Sequence, residues 1–298
     1  MKTKIVTSIY SDLHGTEFGG RPSRGGHYRH SLLSLMKMSD ADFVCYTSER
    51  EFDDLVKFFY LENNVDKNKL IFKKYDISNF SLSDKINKIK NIEDTKHSDR
   101  CVEIQYCKFI WCIAESDIGN YDNLYWFDAG LSHSGLFPYR HMDQSGYWQQ
   151  NYHCYLLDNK FLSNLITFTG DNIFVCAKEN QMNYWSGTVP REYYTEYCMD
   201  RHIIGGFFGG KTQNMKKYCD LFLEYTHKLL DKEPRLYFEE NIMTLMFYNH
   251  KEMFAPKYFD IWWHENDKMD GLDLHEYTKT RKSFYKIIEE LRDAEHIN

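Results

Sequence analysis

The chain has 298 residues, with 37 Lys and Arg against 44 Asp and Glu for a net charge of −7, and only 5 Pro. That length supports a sizeable core in one large domain or two small ones, and the composition excludes collagen-like and long disordered chains. No apolar run approaches the roughly 20 residues of a bilayer span, and the N-terminus is too short and polar for a secretory signal, so no integral membrane segment and a cytoplasmic location are expected.

Residues 4–10 form a short β-rich run, and the segment from Gly15 to Gly26 that follows carries five glycines and a proline. A strand leading into a glycine-rich loop opens many nucleotide-binding α/β folds. A helix is predicted over Tyr28 to Met38 and a buried strand over Asp42 to Thr47. Phe52, Leu55, Val56 and Phe59 recur at helical spacing, and strand character resumes from Lys69 to Tyr75. This β-loop-α-β-α-β order predicts a parallel sheet with right-handed crossovers. A lysine-rich surface helix is expected over residues 81–96. A second, carrying Val102, Tyr106, Phe109, Ile110 and Ile113, is expected over residues 101–116 and packed on the sheet.

The run Asn123-Leu124-Tyr125-Trp126-Phe127 then reads as an apolar strand that ends in Asp128 and a turn, Ala129-Gly130. From Leu131 to Tyr152 the pattern breaks up as a long functional loop would. Further strands are predicted over Asn172 to Ala177 and His202 to Phe208, followed by a helix bearing Tyr218, Leu221, Phe222, Tyr225 and Leu229. Another helix spans Glu239 to Tyr248, a strand Met253 to Trp263, and a final helix includes Ile287, Ile288 and Leu291. With no repeat or linker, a single domain over residues 1–298 is favoured. The eight cysteines show no C-x-x-C pair and sit in apolar segments, as reduced core thiols do. Aromatic residues reach 17%, which serves core packing and equally suits a surface that stacks sugars or bases.

Five groups of residues could carry chemistry. Asp128 stands just past the carboxyl end of a strand, where open α/β sheets expose ligand-binding groups; its carboxylate suits Mg2+ or Mn2+ or a ribose, and equally caps a turn. Asp40-Ala41-Asp42 fits D-x-D literally but precedes its strand, which points those acids away from the binding edge. Gly205-Gly206-Phe207-Phe208-Gly209-Gly210-Lys211-Thr212 satisfies the phosphate-loop pattern and so proposes an ATPase or kinase; the alternative is a strand bracketed by glycine pairs whose missing side chains admit a substrate ring. Glu239 and Glu240 open a helix, where the dipole favours acids, and one of them could orient an acceptor hydroxyl or take its proton. His264, after Trp262 and Trp263, could complete a metal site with Asp128, and Arg21, Arg24 and Arg29 could bind a diphosphate.

Taken in order, Phe43 to Ser48, Tyr125 to Leu131, Gly205 to Gly210 and Glu239 through Phe254 resemble glycosyltransferases of the GT-A fold, and among them the HtrL/YibB family of bacterial glycosyltransferase-like proteins. The resemblance implies an α/β, Rossmann-like fold with a mostly parallel central sheet flanked by helices, residues 1–130 holding the nucleotide sugar and residues 131–298 the acceptor. It implies transfer of a sugar from a nucleotide-diphosphate donor, a UDP-sugar first among them, to a hydroxyl acceptor. A lipopolysaccharide or capsule glycan is the expected acceptor, and a hydroxymethylated base of viral DNA the alternative. It implies roles for Asp128 in donor and metal binding, for Arg21, Arg24, Gly205, Gly206 and Lys211 around the donor, and for Glu239 or Glu240 toward the acceptor. The class places a D-x-D motif after the central strand, whereas this chain has Asp128-Ala129-Gly130. Either Asp128 with His264 holds Mn2+ or Mg2+, or cationic side chains stabilise the departing diphosphate.

Overall fold

A computed structural model describes residues 1–10, 25–90, 99–129, 158–178, 202–232 and 236–259. Its centre is a seven-stranded sheet in the order β3-β2-β1-β4-β6-β5-β7. The strands are β1 (Thr3–Ile9), β2 (Asp42–Thr47), β3 (Leu70–Lys74), β4 (Asn123–Phe127), β5 (Ile173–Lys178), β6 (Ile203–Lys211) and β7 (Phe254–Phe259). All neighbours pair in parallel except β6, which runs antiparallel to both β4 and β5. The expected class is therefore the observed one, α/β with a mostly parallel central sheet flanked by helices. Strands from both halves of the chain enter this one sheet.

Alternation along the strands, interrupted in β6, builds a core on each face. Val6, Val44, Tyr46, Leu124, Trp126, Val175 and Phe208 face one way, toward α3 (Ser83–Lys90), α4 (Asp99–Asp117), α6 (Thr212–Lys232) and α7 (Glu239–Asn249). Ile5, Ile9, Phe43, Cys45, Tyr125, Phe127, Phe174 and Phe207 face the other, toward α1 (Gly25–Met38), α2 (Glu49–Val56) and α5 (Asn159–Thr169). Most side chains on β2, β4 and β5 are apolar because both faces are covered. The predicted aromatic-rich stripe of α4 packs as expected: Phe109 stacks on Phe222 and Phe208, and Tyr106 meets Phe222 edge-on.

Two departures from the sequence-based expectation have clear causes. Helix α5 was not predicted; Asp158 caps it by accepting the Phe161 N–H, and Phe161, Leu162 and Leu165 bury its inner face. Strand β6 runs to Lys211, three residues past the predicted end, because Gly209 and Gly210 pair with both neighbours. The predicted helix near Ile287 and the end of the last strand lie outside the described residues. Five cysteines, 45, 107, 112, 176 and 219, are free and buried as expected.

Candidate functional site

Strand order sets the location. β2 and β3 extend the sheet on one side of β1, and β4 joins on the other side, so the connections diverge between β1 and β4. Open α/β sheets bind ligands outside the carboxyl ends of the strands at this divergence. Here those ends carry Tyr10, after β1, and Asp128, after β4.

Asp128 follows Trp126 by two residues and so lies on the same face, toward α4. Its backbone N–H donates to Gly206 O at 2.9 Å, a last rung linking β4 to β6. Its Oδ1 accepts from Trp126 Nε1 at 2.7 Å and lies 3.1 Å from Lys108 Nζ. The side chain remains 30% exposed.

Opposite Asp128, β6 is irregular. Val175 pairs with Phe208, but the next residue, Cys176, pairs with Ile204, so Gly205, Gly206 and Phe207 bulge away from β5. The bulge removes a ladder partner from Gly205, and α7 supplies one: Glu240 Oε1 accepts the Gly205 N–H at 3.1 Å. One helical turn on, Thr244 Oγ1 accepts the Ile203 N–H at 3.0 Å and fastens the same helix to the start of β6. Glu239 turns inward, and its Oε1 takes a bond from Lys108 at 2.8 Å. Lys108 also donates to Gly205 O at 3.2 Å and lies 5.5 Å from the centre of the Trp126 ring.

Three of the sequence-predicted groups, Asp128, Gly205-Gly206 and Glu239-Glu240, thus meet around a lysine that sequence reasoning missed. Burial works against the charge of Lys108, but attraction to Asp128 and Glu239 outweighs it and holds the ammonium above its ordinary range. Glu239 shifts upward, chiefly through burial; the like charges of Glu240 and Asp128 add to the rise, and Lys108 pulls against it. A visible signal for Lys108 existed. It lies on a helix that is apolar on most sides, at a spacing of three from Trp111 and seven from Glu115. Glu115 is its counterpart about 10 Å further along the axis, bonded to Lys4 at 2.8 Å, Lys73 at 2.5 Å and Tyr46 at 2.7 Å. Between the two charges Trp111 stacks on Tyr10, Tyr46 and Trp126.

Other predicted residues fall elsewhere. Lys211 pairs with Asn123 at the opening of β4, at the opposite edge of the sheet from Asp128, and its ammonium meets Asp171 at 2.5 Å. Gly205 to Lys211 is strand throughout, with Phe207 and Phe208 pointing into opposite cores, so the phosphate-loop pattern does not form a loop that could cradle phosphate. At three of these four glycines there is no room for a substrate ring. A Cβ on Gly205 would lie 2.6 Å from Glu239 Oε1, on Gly209 2.4 Å from Leu124 O, and on Gly210 2.5 Å from Asn172 O. Their space is taken by the protein's own atoms. Asp42 accepts from Tyr121 and Asp40 from Asn159, consistent with D-A-D lying away from the binding edge. Arg21, Arg24 and His264 lie outside the described residues, and Arg29 sits half-buried on α1.

Of the eight lysines between residues 67 and 96, four bond acceptors among the described residues: Lys69 bonds Ser39 O, Lys73 Glu115, Lys74 Glu49 and Lys85 Asp231. Among the described residues no group of three or more His, Cys, Asp or Glu is placed to hold a metal. A divalent cation takes several oxygens, and the cluster offers it chiefly the outer oxygen of Asp128, so these residues alone do not make a cation site. No described helix is long and apolar enough to cross a membrane.

No family model matches the chain, and no curated protein does. Among solved structures it is similar to the apo form of mouse xyloside xylosyltransferase 1, at 14% identity and a TM-score of 0.47 over 96% of this chain and 94% of that one. It is also similar to a CMP:2-keto-3-deoxy-manno-octonic acid synthetase complexed with CTP, at 8% identity and a TM-score of 0.41 over 88% of this chain and 91% of that one. A third is the glycosyltransferase GlyE of Streptococcus pneumoniae TIGR4, at 11% identity and a TM-score of 0.39 over 86% of this chain and 45% of that one.

Proposed function

We propose that the chain is a glycosyltransferase of the GT-A type, which moves a sugar from a nucleotide-diphosphate donor, a UDP-sugar, to a hydroxyl of a glycan. The observation that carries this is the convergence of Asp128, Lys108, Glu239 and Glu240 on the β6 bulge, beside the β1/β4 divergence of the sheet. The ordered resemblance of four segments to the HtrL/YibB family agrees with it.

In this reading the C1–O bond to the diphosphate breaks and the electron pair leaves with the nucleotide, while the acceptor oxygen bonds to C1 and gives up its proton. Asp128 meets the donor through its outward oxygen. Glu240, half-buried and held to the bulge by one oxygen, has its other oxygen to orient the acceptor hydroxyl or receive that proton. Glu239 is too deeply buried for that task and balances the charge of Lys108. Arg21 and Arg24 are proposed to face the diphosphate, and His264 to join Asp128 where Mn2+ or Mg2+ is used.

Calorimetric titration with a panel of UDP- and GDP-sugars, with and without Mn2+, tests the proposal. Binding of a UDP-sugar by the unaltered protein, lost in Asp128→Ala, is the expected result. No binding of any of them in either condition refutes it.

A further inference from the structure

Asp128 is held from two directions at a single oxygen. Trp126 Nε1 donates to Oδ1 at 2.7 Å, and Lys108 Nζ stands 3.1 Å from the same atom. Oδ2 has no hydrogen-bond or ion-pair partner among the described residues, and the side chain is 30% exposed.

Lys108 has the opposite character. Its side chain is 6% exposed, and its ammonium faces Asp128 Oδ1 at 3.1 Å, Glu239 Oε1 at 2.8 Å and Gly205 O at 3.2 Å. An ammonium has three donors; two bond Glu239 and Gly205, and the third faces Asp128 Oδ1 at ion-pair distance. None is left for a ligand.

Both restraints are themselves fixed from within. Trp126 is buried and stacked against Trp111, and Lys108 projects from the middle of a 19-residue helix. We propose that Lys108 is a positioning residue: together with Trp126 it pins Oδ1 of Asp128 inward, so that Oδ2 alone is presented to the nucleotide-sugar donor, and it does not touch the donor itself. The identity of the ligand rests on the glycosyltransferase reading above. The same ammonium separates Asp128 from Glu239, so removing its charge leaves two carboxylates facing each other in a poorly solvated place, and Asp128 turns outward.

The test uses the full chain, as wild type, Lys108→Met, Lys108→Arg and Trp126→Phe, with crystal structures and calorimetry against UDP-glucose, UDP-galactose and UDP-N-acetylglucosamine. Lys108→Met is expected to rotate the Asp128 carboxylate and weaken the best-binding sugar nucleotide by about tenfold to a hundredfold, the range of one charge-assisted hydrogen bond. Lys108→Arg is expected to recover most of that loss, and Trp126→Phe to show a smaller loss with the same rotation. A role in stability alone would lower the melting temperature without this charge-specific rescue. The proposal is overturned if Asp128 superimposes on wild type in Lys108→Met, if affinity falls while Asp128 stays in place, or if affinity is unchanged. Should Lys108→Met not fold, Trp126→Phe decides: wild-type affinity and an unmoved Asp128 overturn the proposal. If no sugar nucleotide binds the wild type, the donor reading fails separately, and the Asp128 rotamer in the variants still decides the positioning role.

Discussion

Replacing Gly205 by alanine probes the site from its backbone side. The new Cβ would stand 2.6 Å from Glu239 Oε1 and 3.0 Å from Glu239 Cδ and Cγ, closer than such atoms approach. A carboxylate at the end of a side chain can ordinarily swing aside, but this one is buried and bound to Lys108 at 2.8 Å. Moving it breaks that bond; leaving it forces β6 outward. Overpacking a core costs about 1–3 kcal/mol, and depriving a buried ion of a partner costs about 3–5 kcal/mol. Lys108 keeps Asp128, so the cost falls near the low end of the combined range, about 3–4 kcal/mol. At roughly 2–4 °C per kcal/mol for a large domain, the melting temperature should fall by roughly 6–16 °C. Circular dichroism melts of Gly205→Ala, Glu239→Ala and the double variant supply the measurement. With the glutamate truncated the alanine has room, so the two losses should be strongly non-additive. An equal effect of Gly205→Ala in both backgrounds would refute the reasoning.

The Glu115 cluster gives a pH prediction. Burial opposes its charge, but bonds from Lys4, Lys73 and Tyr46 prevail and hold the carboxyl below its ordinary 4.5. Its contribution is therefore present above pH 4.5 and lost as pH falls through the lower folded-state value. Glu115→Gln should cost about 3–5 kcal/mol at neutral pH, because Lys4 stays buried without its counter-charge, with the gap to wild type narrowing in urea melts toward pH 3. Lys211→Ala removes an exposed pair at the far edge of the sheet, so thermal unfolding and sugar-nucleotide affinity should both match wild type; loss of affinity would place the donor at the wrong end. Burial pushes the thiols of Cys45, Cys107 and Cys176 up, so site-resolved mass spectrometry should find them unlabelled by a thiol reagent in the native protein and labelled in denaturant.

Much of the fold was legible because both faces of the sheet are covered. Buried strands then read as short apolar runs, and the predicted bounds of β2 and β4 match the observed ones. Helix α5 was not legible: its inner residues Phe161, Leu162 and Leu165 span little more than one turn, too short a run for helical period to stand out. The reversed direction of β6 was not legible either, since period and composition carry no strand polarity. Its glycines read as special, and at Gly205, Gly209 and Gly210 the occupant is the protein's own atoms. A missing side chain records a close approach without saying what approaches, and at Gly205 it is Glu239.

The site was legible as parts and illegible as an assembly. Asp128 could be placed from the end of an apolar strand, and Glu239-Glu240 from the start of a helix, because both positions follow from local pattern. What joins them is Lys108, separated by 20 residues from one and 131 from the other. Within its helix it reads as an ordinary polar interruption of a stripe. Its meaning comes from burial, which makes an unpaired ammonium untenable and obliges the surrounding strands and helices to bring acids to it. Glu115 obeys the same rule with the signs reversed, drawing Lys4 and Lys73 from two different strands. A charged residue on the sheet-facing stripe of a buried helix is therefore a demand for distant partners, and in this chain the partners of Lys108 are the acids that local pattern had singled out for chemistry.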